Sequence, residues 1–233
     1  MSMNECGLKE LGQLIHGLNE GNKTPEKVIL ASSAAYRVQF LGYPTGHHFG
    51  CPKKPAELGR YNDPQEFFEV WYGAEHPSGA LAETFGRLRP PEQKGLGIFI
   101  STEDLETREM CVVETVRDLR LLDLNACLSK LNRTLDEVTG GDYGLTQAIV
   151  SIVARLKLNP FDGIAYQSRH NPDGRMCYAL WKAPGQEPTV STVSRTVLSE
   201  FEHHGETPSC FDGDVMDTEE ILTEMLGYKV VAP

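Results

Sequence analysis

The stretch FDGIAYQSRHNPDGRMCYALW, residues 161–181, decides how the chain is read. Its two apolar runs, FDGIAY and MCYALW, read as β-strands. A plain hairpin between them needs only about two to five linking residues. The link here is longer. It ends in Asp173-Gly174, a turn pair, but it also sets Ser168, Arg169, His170 and Asn171 in a row at the strand end. A hydroxyl, a guanidinium, an imidazole and an amide side by side are more than a turn requires.

Working outward, strands and helices mix without a regular βαβ rhythm. SSAAYRVQF (32–40), FFEVWYGA (67–74), GLGIFIS (95–101) and TVSTVSRTVLSEF (189–201) read as strands, and YKVV closes the chain. MCVVETV (110–116) and LRLLDL (119–124) pair as a hairpin or run as one bent strand. Helical spacing appears at 7–19, where Leu8, Leu11, Leu14, Ile15 and Leu18 share a face. HPSGALAETFGRL (76–88) has Pro77 near a helix start. ACLSKLNRTLDEV, LTQAIVSIVARLKL (145–158) and TEEILTEML (218–226) also read as helices. NKTPEK and the Gly-, Pro- and His-rich residues 42–66 read as loops, and a loop that long is often functional. The expected fold is α+β, with mixed, mostly antiparallel sheets and flanking helices, in one domain over 1–233.

Composition narrows the function. Of 233 residues, 40% are hydrophobic, enough for a real core, and the formal net charge is −11. A protein that lives on nucleic-acid backbone usually shows a basic face, so direct nucleic-acid binding is not expected. A local basic pocket for a phosphate-bearing metabolite remains compatible with the total. Cys6, Cys51, Cys111, Cys127, Cys177 and Cys210 form no CxxC pair and read as free thiols in a reducing compartment. The first residues lack a basic region followed by an apolar core. No run approaches the length of a membrane span. A cytoplasmic protein is expected.

The common signatures are absent: no GxGxxG, no GxxxxGK[ST], no HExxH and no GxSxG. The adjacent pairs His47-His48 and His203-His204 read as solvated loop histidines rather than metal ligands, because neighbours on a strand face opposite ways. What remains is a scatter of polar residues in apolar surroundings. Arg37 inside SSAAYRVQF is costly unless it is paired, faces a cleft or sits on an edge strand. Arg60-Tyr61-Asn62 follows Gly59 in the long loop, Tyr72 ends FFEVWY, and Glu83 lies on a small-residue helix. Singly these are an ordinary turn, a core aromatic and a solvated helix position.

Their order changes the reading. Tyr36-Arg37, then Gly59-Arg60-Tyr61-Asn62, Tyr72, Ala82-Glu83 and DGIAYQSRHN (162–171) together resemble the RES domain family, named for its Arg, Glu and Ser. The resemblance covers roughly 33–182. The helix at 7–19 and the segment 186–233 stand as additions, and an insertion-like region at 102–145 also lies outside it.

The resemblance implies a core like that of the ADP-ribosyltransferases and an enzyme that consumes NAD⁺ by breaking the nicotinamide–ribose bond with water or phosphate. It further implies the toxin of a pair whose antitoxin has a helix-turn-helix and plugs the site. The alternatives are an ADP-ribosyltransferase acting on a protein and a non-catalytic nucleotide-binding module. A homo-oligomer is left open. NAD⁺ is substrate, not cofactor, and no metal is expected. Cleaving an N-glycosidic bond passes through a cation-like ribose, which a carboxylate stabilises; Glu83 is the candidate. Nicotinamide leaves a cation as a neutral group, so no strong general acid is needed. Arg37 and Arg60 are candidates to grip the pyrophosphate or an attacking phosphate. Tyr61 and Tyr72 suit the nicotinamide and its ribose. Ser168 suits the carboxamide or ribose and can hold Glu83 in place. Glu83, Arg37 and Ser168 are thus the catalytic candidates. Tyr36, Arg60, Tyr61, Tyr72, Arg169 and Asn171 are the substrate-binding ones.

Overall fold

A computed structural model describes residues 5–88, 97–158, 160–171, 175–205, 207 and 213–232. The Asp173-Gly174 turn, the start of the strand read from Gly95, and Cys210 lie outside the described residues. The strands are β1 (Glu26–Ile29), β2 (Ala34–Phe40), β3 (Glu69–Ala74), β4 (Phe99–Ser101), β5 (Arg108–Thr115), β6 (Leu119–Asp123), β7 (Gly163–Gln167), β8 (Met176–Lys182), β9 (Val190–Val197), β10 (Glu202–His203), β11 (Met216–Asp217) and β12 (Lys229–Val231). The helices are α1 (Glu5–Glu20), α2 (Pro77–Phe85), α3 (Thr102–Glu106), α4 (Leu124–Cys127), α5 (Leu135–Thr139), α6 (Gly144–Val153) and α7 (Thr218–Glu220), the last running into a π-helical turn.

Eight strands form one sheet in the order β1-β6-β7-β8-β3-β2-β5-β9. Only the β6–β7 pair in it is parallel. The fold is the mixed, mostly antiparallel α+β arrangement that the sequence leads one to expect. β7 and β8 pair antiparallel on either side of the polar link. MCYALW reads as an unbroken apolar run because both faces of β8 are covered. Cys177, Ala179 and Trp181 enter the core beneath the helices, while Tyr178 and Leu180 enter a second core on the opposite face with Trp71, Leu119 and Leu121.

Several elements depart from expectation. Of the two readings of MCVVETV and LRLLDL, the bent strand holds and the hairpin does not: β5 and β6 do not pair with each other. β5 lies between β2 and β9, and β6 between β1 and β7. They run as one bent ribbon beside β2 and β1. Four strands separate them in the sheet, five spacings or roughly 24 Å at about 4.8 Å each, yet only residues 116–118 join them in the chain. So short a link forces the sheet to curl back on itself. The segment read as the loop NKTPEK ends in β1, a short edge strand whose EKVI shows no periodicity. The segment set outside the core, 186–233, supplies β9, the other edge of the main sheet. ACLSKLNRTLDEV is broken into α4, a 3₁₀ turn and α5, because Asn132 adopts the left-handed conformation between them. Among the described residues, no helix is long and apolar enough to cross a membrane.

Candidate active site

The site opens where the sheet comes apart. β2 pairs with β5 at seven positions and β3 with β8 at six. β2 and β3 share one paired position, Tyr36 opposite Ala74. Beyond it the two strands diverge, and a cavity of about 420 Å³ fills the gap, lined by Arg37 and Val38 from one strand and Val70, Tyr72 and Gly73 from the other. β2 is therefore an interior strand, and Arg37 is not an edge residue. Its Nη1 donates to the His48 carbonyl at 2.7 Å. Burial lowers its pKa from the ordinary arginine value, while Cys111 and Tyr43 nearby raise it. It enters the cavity as a fixed cation.

α2 roofs this gap. His76 caps it by accepting from the Ser78 amide, and Pro77 suits its first turn. Ser78 through Ala82 are all buried. The small side chains let the helix lie so close to the sheet that a Cβ on Gly79 would stand 2.9 Å from that of Ala74. One turn on, Glu83 emerges half-buried and borders both the large cavity and a smaller one of about 30 Å³. It is not a solvated helix residue. Ser168 Oγ donates to Glu83 Oε1 at 2.6 Å, and Tyr166 OH lies 3.5 Å from Oε2. The His170 amide donates to Ser168 Oγ at 3.1 Å, which directs the serine proton at the carboxylate.

Tyr72 borders both cavities and Tyr61 the small one. Tyr72 OH accepts from the Tyr61 amide at 3.0 Å and donates to Asn62 Oδ1 at 3.1 Å. Asn62 Oδ1 also accepts from the Gly59 amide at 2.8 Å. Tyr61 packs against Tyr166, the rings tilted 43° with centroids 4.4 Å apart. Burial raises the pKa of all three phenols, so they stand as neutral donors beside the carboxylate.

The structure sorts the candidates. Arg37, Tyr72 and Glu83 line the large cavity, and Arg60, Tyr61, Tyr72, Glu83 and Arg169 the small one. Ser168 is buried and reaches the site through Glu83. Arg60 borders the small cavity, but its guanidinium is spent on the chain itself. It bonds to the carbonyls of Val138, Thr139 and Gly140 at the end of α5 and lies over the Tyr143 ring. Arg169 also donates to Thr139 O, at 2.9 Å. Two candidates lie elsewhere. Tyr36 packs its ring against His76 and His203, because it alternates with Arg37 along β2 and faces the other way. Asn171 is buried and donates to Ser78 Oγ at 3.2 Å, bracing the start of α2.

The residues missed are Asn62, Arg87 and Tyr166, which line the cavities with Glu83. Two of them had a signal. Tyr166 precedes Ser168 by two on a strand, so both share a face, and Arg87 follows Glu83 by four along a helical path. The histidine reading needs correction as well. His48 and His204 are exposed, but His47 is tied to Thr192 at 2.8 Å and His203 is buried. Among the described residues, no group of three or more His, Cys, Asp and Glu side chains is placed to hold a metal ion.

The fold has counterparts among known proteins. The family model described as RES domain matches residues 34–198. Among solved structures, the M. tuberculosis MbcT-MbcA toxin-antitoxin complex contains a chain of similar fold, with a TM-score of 0.53 and 16% identity. The alignment covers 81% of this chain and 91% of that one. No protein of curated function matches in sequence. A match spanning β2 to β9, with the Arg37, Glu83 and Ser168 pattern inside it, places the chain in the RES domain family.

Proposed function

We propose that this protein consumes NAD⁺ by breaking the bond between nicotinamide and ribose, passing the ADP-ribosyl group to water or phosphate. The observation that carries the reading is the position of Glu83, a carboxylate held by Ser168 where two cavities meet. The ribosyl cation that forms as nicotinamide departs is stabilised by a fixed negative charge beside it. Tyr72 and Tyr166 line the same cavities as that carboxylate and offer aromatic faces to the sugar and base, with the Tyr166 hydroxyl 3.5 Å from Glu83 Oε2. Arg37 and Arg87 supply positive charge for the pyrophosphate or an incoming phosphate. Water or phosphate forms the new bond to the anomeric carbon, and its proton is released to solvent.

The family, and the toxin-antitoxin complex among structures of like fold, support a second element of the proposal: a toxin restrained by a partner antitoxin. The test is direct. Purified protein is incubated with NAD⁺, with and without inorganic phosphate, and the products are separated. Release of nicotinamide with ADP-ribose, or with its 1″-phosphate when phosphate is present, is the expected result. Intact NAD⁺ under both conditions refutes the reading.

A further inference from the structure

Outside both cavities lies a polar network around a buried carboxylate that the chemistry above does not use. Glu109 of β5 is 4% exposed. It accepts from Gln39 Nε2 at 2.8 Å, and from Arg195 Nε at 3.0 Å and Nη2 at 2.7 Å. Arg195 does more than neutralise it. Its Nη1 donates to the Pro44 carbonyl at 3.0 Å and its Nη2 to the Tyr43 carbonyl at 2.7 Å. Gln39 Nε2 also reaches the Thr45 carbonyl at 3.2 Å. Thr192 Oγ1 accepts from the Gly46 and His47 amides at 2.9 and 3.2 Å. Trp71 Nε1 donates to the Gly46 carbonyl at 2.8 Å. Every residue from Tyr43 to His47 is thus tied to the sheet.

The sheet is shaped for this task. The β5–β9 register shifts between Val112 and Val113, where Ser194 and then Thr192 stand opposite, so Val193 is the extra residue of a β-bulge. In a regular strand, positions 192 and 195 face opposite ways. The bulge turns both to one face. That face also carries Arg37, since Cys111 stands opposite Arg37 on one side and Arg195 on the other.

The tied segment is a wall of the large cavity. Tyr43 and His48 line it, and the His48 carbonyl receives the Arg37 guanidinium. We propose that Arg195, which lines neither cavity, is a positioning residue: its fork on Glu109 and the Tyr43 and Pro44 carbonyls fixes the 43–48 wall and, through His48, the guanidinium of Arg37. Arginine is suited to this because its planar fork serves several acceptors at set angles, as a lysine cannot. The role rests on the NAD⁺ reading, since it is that substrate Arg37 is to grip.

The experiment is steady-state NAD⁺ kinetics on wild type, Arg195→Ala, Arg37→Ala and the double variant. If Arg195 acts by placing Arg37, its removal raises KM about tenfold while kcat stays within about threefold. It then adds nothing in the Arg37→Ala background, the signature of two residues acting as one unit. Thr192→Val, which keeps the side chain's shape and removes its bonds to the wall, moves KM the same way and serves if Arg195→Ala does not fold. An unmoved KM in the folded variant, or a full additional loss on top of Arg37→Ala, overturns the positioning role. A wild-type protein inert toward NAD⁺ refutes the functional reading itself, and is seen before any variant is made.

Discussion

The hydroxyl of Ser168 donates to Glu83 Oε1 at 2.6 Å, joining a strand end to a helix 85 positions earlier in the chain. Ser168 is 3% exposed and accepts from the His170 amide, so its proton has one partner. The polar row after β7 is therefore a clamp on the carboxylate. Charge-assisted bonds of this kind are short and strong. Ser168→Ala removes the clamp and leaves the charge. Its kcat is expected to fall about tenfold and its melting temperature by a few degrees, since the carboxylate loses a donor and the His170 amide this acceptor, as read by steady-state kinetics beside a thermal scan.

Glu83→Gln keeps the size of the side chain and a hydrogen-bonding group but removes the charge. The charge it answers develops only in the transition state, so the loss falls on turnover. A fall in kcat of about 10²–10³ is expected, the usual cost of one such electrostatic contact. Wild-type turnover in the folded variant would remove Glu83 from the mechanism.

Arg37→Ala is expected to differ in kind. A guanidinium holding phosphate contacts the bound ground state as well, so KM for NAD⁺ rises along with any loss in kcat. Comparing the KM of the Arg37 and Glu83 variants separates the two roles; equal KM values in both would merge them.

Gly79→Ala tests the close approach of α2. A Cβ there meets that of Ala74 at 2.9 Å, and neither atom can swing away. Overpacking of this kind costs about 1–3 kcal/mol, against about 0.5–1 kcal/mol gained from alanine's better helix propensity. The clash wins. The melting temperature falls by a few degrees, and activity falls with it, because Glu83 rides one turn further along the displaced helix. A variant as stable and active as wild type would show that the helix has room to spare.

Acid should weaken the fold through His203. Burial lowers its pKa below 6.5, and the positive charge of Arg175 and of His204 lowers it further. Between that depressed value and about 6.5, the unfolded chain binds a proton that the folded chain does not. Stability therefore falls as pH drops through this window. Thermal scans from pH 7.5 to 5.5 should show a declining melting temperature, and His203→Gln should flatten the decline. Equal slopes in the two proteins would place the acid sensitivity elsewhere.

The elements nearest the chemistry were the most legible in the sequence. SSAAYRVQF, FFEVWYGA and the two runs around QSRHNPDGR are long and apolar enough to declare themselves, and PSGALAE announces a helix that must lie close to something. Glu83 and Ser168 stood out as a pair because the motif order ties them. What the sequence hid was direction. Tyr36 and Asn171 belong to the motif but face α2's N-terminal end, and nothing local says which side of β2 opens onto the cavity. Arg60 shows the same limit from another side. Its residue type suits phosphate, but the carbonyls at the end of α5, nearly eighty positions away, have taken its donors. β1 went unread because a short edge strand carries a weaker pattern than a central one, whereas β9 was read as a strand but set outside the core.

The seam between β2 and β3 also bears on how the molecule holds together. A continuous ladder transmits cooperativity through backbone hydrogen bonds from strand to strand. Here the ladder is reduced to one register position, Tyr36 opposite Ala74. The half made of β1, β6, β7, β8 and β3 and the half made of β2, β5 and β9 are joined by their bent ribbon, by α2 and by side-chain packing. Opening of one half need not carry the other with it, and amide exchange would register two tiers of protection. On the proposed reading, a substrate seated between Arg37 on one side and Tyr72 on the other would replace the missing rungs and act as a temporary strand-to-strand tie, making the protein most nearly a single cooperative unit while its site is filled.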